Sequence, residues 1–153
     1  MNTGLVRSIA GLSSRWRSRF SRSPASSDPT AALGALGEKL AARFLRQNGY
    51  KVLHRNFEPR RGGQIDLVCR DGDTLVFVEV KTRSSEELRR PVDDLRADQK
   101  RRISRGALTW LRMLDDPDIA FRFDVVEVIA PEGAKPRLEL IQDAFTLAKP
   151  YMY

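Results

Sequence analysis

Residues 64–83 read QIDLVCRDGDTLVFVEVKTR, and this stretch decides the fold. Both halves are rich in β-branched and aliphatic residues, with Asp71-Gly72-Asp73 between them. Such runs joined by a short Asp-Gly turn form an antiparallel hairpin, so the spacing predicts strands over 64–70 and 74–83. Side chains alternate along a strand, which sends Val76, Val78 and Val80 one way and Leu75, Phe77, Glu79 and Lys81 the other. On the first strand Ile65, Leu67 and Cys69 share one face, and Gln64, Asp66 and Val68 share the opposite one. A strand that is apolar on both faces is normally buried. Asp66 and Glu79 are therefore carboxylates inside apolar runs, where an unpaired charge is costly or shifts its pKa. Asp66 lies six residues before Gly72 and Glu79 seven after it, which puts the two acids near one level at a sheet edge.

Working outward, Tyr50 to Phe57 is a strand ahead of the hairpin, with Pro59-Arg60-Arg61-Gly62-Gly63 as the turn between them. Three strands with short turns make an antiparallel meander. Before them, Asp28-Pro29 is an N-cap followed by proline at the first helical position. Leu33, Leu36, Leu40, Phe44 and Leu45 then give an apolar stripe at helical spacing, and Asn48-Gly49 stops the helix near residue 48. Beyond the meander, residues 84–93 are a polar loop containing Pro91. A second helix runs from about 94 to 114 on Leu95, Ile103, Ala107, Leu108, Leu111 and Leu114, and Asp115-Asp116-Pro117-Asp118 ends it. Ile119 to Ala130 and Arg137 to Gln142 are strands. The order α-β-β-β-α-β-β predicts an α/β fold with a mixed sheet flanked by helices.

The chain has 153 residues with 27 Lys+Arg and 20 Asp+Glu, a formal net charge of +7. That charge is uneven. Residues 1–30 hold five arginines and one acid (+4), whereas residues 31–153 hold 22 bases and 19 acids, a net of +3. The first segment also has eight serines and ends in a Ser/Pro-rich linker, so the chain divides into a basic tail over 1–28 and a domain over 29–153. Leu5, Ile9, Leu12, Trp16 and Phe20 fall on one helical stripe of the tail. Such a helix suits a membrane surface, a nucleic acid or a transit peptide, and an extension without a role has the same composition. No apolar run approaches the ~20 residues of a membrane span, and a cytoplasmic protein is expected. A single cysteine, Cys69, excludes an intramolecular disulfide and a multi-thiolate zinc site, and the single His54 removes His-rich metal sites.

Two carboxylates and a lysine at one sheet edge suit a hard cation. Magnesium takes oxygen ligands, keeps several waters, and uses one or two carboxylates plus substrate phosphate. Asp66 and Glu79 would hold Mg (or Mn), which would stabilise the scissile phosphate and lower the pKa of an attacking water. Lys81 would orient that water or offset developing charge. A simple ion pair between Glu79 and Lys81 accounts for the same pattern without chemistry. A Cys69–His54 nucleophile pair is the weakest alternative, since Cys69 alternates with core residues. Trp110 and Leu111 belong to helix packing.

D…E-x-K on the strands of an α-β-β-β-α-β core resembles the PD-(D/E)XK nuclease superfamily. More closely, the chain resembles the YraN family of bacterial endonuclease-like proteins, from about Leu33 to Phe145. The likeness covers Gly37-Glu38, Ala41 and Phe44-Leu45 on the first helix, Gly49-Tyr50, and Arg55-Asn56-Phe57. It continues through Arg61 to Val68, Val76 to Arg83, Gln99, Ala107, Arg122 to Val126 and Asp143 to Phe145. The resemblance implies a restriction-endonuclease-like core with Asp66, Glu79 and Lys81 as catalytic residues. It also implies that Glu38 assists metal binding, and Gln99 matches a position that reaches the site in some members. In this family Gly-Glu-Ile-Asp is usual, and here Gln64 replaces the glutamate, which removes one negative charge from the site. Asp98 likewise stands where lysine is common.

Arg60 and Arg61 in the turn, with Lys100, Arg101, Arg102 and Arg105 on the second helix, are candidates for phosphate contacts with DNA, and a merely solvated basic face has the same composition. No aromatic array or recognition-helix signature accompanies them. The sequence thus predicts a metal-dependent nuclease-like protein, with a non-catalytic nucleic-acid-binding module as the alternative.

Overall fold

A computed structural model describes residues 28–85, 95–114 and 118–150. The tail helix of residues 5–20, the loop around Pro91 and the stop at Asp115, Asp116 and Pro117 lie outside the described residues. The elements are α1 (Pro29–Gln47), β1 (Lys51–Phe57), β2 (Ile65–Asp71), β3 (Thr74–Arg83), α2 (Ala97–Arg112), β4 (Phe121–Ile129) and β5 (Arg137–Phe145). The predicted order is the one found. The five strands pair in sequence order, β1-β2-β3-β4-β5. β1–β2, β2–β3 and β4–β5 are antiparallel, and β3–β4 is parallel with α2 as the crossover. The sheet is therefore mixed, and β3 is its central strand.

One helix packs on each face. Ala41, Ala42 and Leu45 of α1 cover Leu67, Cys69, Val76, Val78, Val126 and Val128. On the other face Ile103, Ala107 and Trp110 of α2 cover Phe57, Val68, Leu75, Phe77, Phe123 and Val125. The two sets alternate along β3, as the sequence pattern requires. Ile65 departs from its predicted face. It joins the α2 core, because the turn before it is drawn onto α2: a Cβ on Gly63 would lie 2.5 Å from the Gly106 nitrogen.

α1 begins as expected, with Asp28 Oδ1 accepting from the Thr30 N–H at 2.9 Å and Pro29 in the first turn. Of the predicted stripe, Leu45 is buried and Leu40 and Phe44 pack partly buried against the same core, while Leu36 is exposed. The other fully buried positions are the small residues Gly37, Ala41 and Ala42. Small residues win because the helix backbone lies directly against β3, where a Cβ on Gly37 would collide with the Thr82 side chain. No helix among the described residues is long and apolar enough to cross a membrane.

Replacing a helix-interior glycine by alanine ordinarily stabilises by roughly 0.5–1 kcal/mol. Here the sign reverses. Gly37→Ala is expected to lower stability in urea denaturation by about 1–3 kcal/mol through overpacking, and the loss shrinks in a Thr82→Ala background. A stabilised Gly37→Ala variant would contradict this close approach.

Candidate active site

The hairpin registers Asp71 with Thr74 and ends its paired ladder at Leu67 with Val78. Gly72 and Asp73 are thus the whole turn, and one step past the last rung Asp66 and Glu79 stand opposite each other. The backbone ladder gives way there to a side chain: Asp66 Oδ2 accepts the Val80 N–H at 2.8 Å. This places the acids where the β2–β3 ladder ends, near one level as the sequence suggested. Asp66 is only 8% exposed. Its carboxyl is within hydrogen-bonding reach of Glu79.

Lys81 follows two residues later on the same side of β3, and its Nζ lies 3.3 Å from Glu79 Oε1. The ion pair anticipated from the sequence exists, but it neutralises only part of the site. Glu38 approaches from α1, one turn before Ala41 and Ala42 on the buried side, and acts electrostatically on both Glu79 and Asp66. Burial first, and then the charges of Glu79 and Glu38, hold the Asp66 carboxyl well above the usual aspartate range, against the opposing Val80 N–H. Burial raises Glu38 too, opposed by a hydrogen bond from Asn56 and the charge of Arg55. Three carboxyl groups thus share one partly buried volume with the Lys81 ammonium and the Arg55 guanidinium.

The donor set bears on a cation directly. Among the described residues no group of three His, Cys, Asp or Glu side chains is arranged to hold a metal ion. The three-carboxylate set with Glu38 as a direct ligand is therefore not formed. Asp66 and Glu79 alone still meet the requirement of a hydrated hard cation, which needs one or two carboxylates. Two carboxyls in contact cannot both ionise without a proton or a cation between them, and that excess of negative charge is the fit.

Gln64 precedes β2, and its backbone N–H donates to the Arg102 carbonyl at 3.4 Å. Gln99 Oε1 accepts from the Arg96 N–H at 3.3 Å and so serves the first turn of α2. Asp98 pairs with Arg96 at 3.4 Å on the surface. The basic residues are brought partly together: the Arg105 side chain lies against Gly62, so the Arg60–Arg61 turn adjoins α2, where Arg101, Arg102 and Arg105 are exposed. Lys100 instead lies over the Phe145 ring at 5.9 Å.

Cys69 and His54 lie on opposite faces. Cys69 packs in the α1 core, where burial pushes its thiol up to about 12, while the His54 ring sits 5.7 Å from Trp110 of α2. No nucleophile pair forms. Sequence reasoning missed Asn56, whose only signal was its place in the Arg-Asn-Phe motif. It also gave Arg122 and Asp124 no role. Fully buried Asp124 accepts from Arg122 Nε at 3.0 Å and from the Asp143 N–H at 2.9 Å. Arg122 Nη2 donates to Tyr50 Oη and to Asp71 Oδ2, each at 2.8 Å. That network joins β2, β4 and β5 to Tyr50, the residue that leads into β1.

The model of Uncharacterised protein family UPF0102 matches residues 37–128. The chain belongs to UPF0102, the YraN family. The matched span begins at Gly37, includes Glu38, Asp66, Glu79 and Lys81, and closes within β4. A UPF0102 protein of Geobacter metallireducens is 46% identical over 76% of this chain and 94% of its own. One from Geotalea daltonii is 45% identical over 76% and 91%, and one from Rhodococcus opacus 42% over 74% and 96%. Residues 1–28 stand outside the UPF0102 match.

A raised folded-state pKa means that the folded chain holds the Asp66 proton more tightly than the unfolded chain does. Stability is then lost as pH rises from the ordinary aspartate value through the folded pKa. Asp66→Asn keeps an oxygen for the Val80 N–H and removes the charge. In metal-free buffer it is expected to melt above wild type at pH 8, with the gap closing as pH falls toward about 4. A gap that stays constant with pH would contradict the buried charge.

Proposed function

We propose that this UPF0102 protein is a cytoplasmic, divalent-cation-dependent nuclease-like enzyme that hydrolyses phosphodiester bonds in DNA. The observation that carries this reading is the contact between Asp66 and Glu79, two carboxyls with Lys81 beside them and Glu38 behind. A structural role alone leaves that cluster overcharged, whereas a hydrolytic site for a polyanion requires a cation-binding pair next to a positive group.

Asp66 and Glu79 would hold Mg or Mn, which when bound supplies Lewis-acid stabilisation of the scissile phosphate and a more acidic attacking water. Lys81, tethered by Glu79, is the group that orients the water or offsets charge on the phosphate. The Val80 N–H fixes the Asp66 carboxylate before substrate arrives, so little reorganisation is needed at the reaction. Arg60 and Arg61, on the turn that leads through Gln64 into β2, and Arg101, Arg102 and Arg105 on α2 would steer the backbone of the nucleic acid toward the same strand end. Contacts of this kind read phosphate and not bases, which suits a structure-directed substrate.

Incubating the full chain with linear, circular and branched DNA in Mg or Mn tests the proposal. Cleavage is expected in wild type and is expected to fall by at least ~100-fold in Asp66→Ala and in Lys81→Ala, with DNA binding retained. Cleavage that survives both substitutions, or binding with no cleavage in any metal, would overturn it; the second result would favour the binding module. In parallel, each of Arg101→Ala, Arg102→Ala and Arg105→Ala is expected to lower the slope of log affinity against log salt by about 1. Unchanged slopes would remove α2 from the interface.

A further inference from the structure

Two described non-glycine residues have left-handed backbone, Asn56 with φ 51° and Asp143 with φ 49°. Such a conformation inside a strand is unfavourable for L-residues, although asparagine and aspartate tolerate it best. For Asp143 the reason is visible: its N–H reaches Asp124 Oδ1 and completes the buried Tyr50–Arg122–Asp124 network. At Asn56 the left-handed turn breaks the alternation of β1, so that His54 and Phe57, three residues apart, both reach Trp110 on the α2 face. The Asn56 side chain itself is exposed on edge strand β1 and belongs to neither core.

What Asn56 does contact is Glu38, to whose carboxylate its side-chain amide donates. The register that pairs Arg55 with Leu67 and Phe57 with Ile65 sets Asn56 level with Asp66. Glu38 comes from a different element, α1, and is held close by the glycine contact of Gly37 on Thr82. Three separate segments therefore meet at one carboxylate, and the backbone departs from strand geometry at the residue that makes the hydrogen bond.

We propose that Asn56 is a positioning residue: the left-handed turn in β1 aims its carboxamide at Glu38 and holds that carboxylate toward the Asp66–Glu79 pair. Glu38 then strengthens cation binding from behind the two ligands. This rests on the cation-site reading given above. Groups of this kind, one step removed from the ligands, commonly change metal affinity ten- to a hundredfold or so.

Calorimetric titration of Mn2+ into the full chain tests it, using wild type, Asn56→Gly, Glu38→Ala, the double variant and Asp66→Ala. Glycine keeps the backbone conformation and deletes only the amide, so Asn56→Gly is expected to unfold in urea at or above the wild-type midpoint. Its Mn2+ affinity is expected to fall about tenfold. In the Glu38→Ala background the same change is expected to be silent, because Asn56 acts through Glu38. Unchanged affinity in Asn56→Gly, or its full effect persisting without Glu38, overturns the inference while Asp66→Ala still loses Mn2+. If wild type and Asp66→Ala bind Mn2+ equally, or neither binds, the site reading fails and the inference falls with it.

Discussion

The Asp66 carboxylate on the Val80 N–H is the contact on which the site depends. Past Leu67 and Val78 the β2–β3 ladder no longer supplies a backbone acceptor for that N–H, and a buried unpaired donor is expensive. Asp66 fills the gap. One side chain thereby terminates the ladder, carries a charge into a nearly dry position, and is fixed in direction. Glu79 follows from the hairpin register, Lys81 from the alternation along β3, and Glu38 from the close seating of α1 on the sheet. Each of the other site residues takes its place from that strand end.

Among the described residues, the difference between the buried clusters around Asp124 and Asp66 separates structure from chemistry. Around Asp124, the carboxylate is met by Arg122 and Tyr50 and by the Asp143 backbone, with Asp71 closing the far side of Arg122. Each of these groups has its hydrogen-bonding partners, so the cluster ties three strands to the residue that leads into β1. At Asp66 the arrangement differs: three carboxyl groups share the Lys81 ammonium and the Arg55 guanidinium, two of the carboxyls contact each other, and the buried acid is driven toward its neutral form. A buried charge cluster left overcharged is costly to keep. Retaining it makes sense where a cation or a transferring phosphate supplies the missing positive charge or uses the field.

Much of this was legible in residues 64–83. Period-two alternation assigns Leu75 and Phe77 to one core and Val76 and Val78 to the other, and the turn at Gly72 brings Asp66 level with Glu79. What escaped reading depends on contacts between distant segments. The leucines of α1 suggested its buried side, and Leu45 lies there, but closeness to Thr82 adds Gly37, Ala41 and Ala42 and leaves Leu36 exposed. Ile65 obeys the Gly63–Gly106 contact rather than alternation. Asn56 and Arg122 carry no periodic signal, since their roles arise only where β1 meets α1 and where β4 meets the end of β2. The central position of β3 likewise follows from the parallel pairing with β4, which local pattern does not encode.

The most direct test of the central claim is anomalous diffraction from crystals of the full chain soaked in Mn2+. The account predicts one ordered Mn2+ between the Asp66 and Glu79 carboxylates, with the Val80 N–H still on Asp66. Crystals that show no Mn2+ at that position, or Mn2+ only on exposed carboxylates elsewhere, would contradict it.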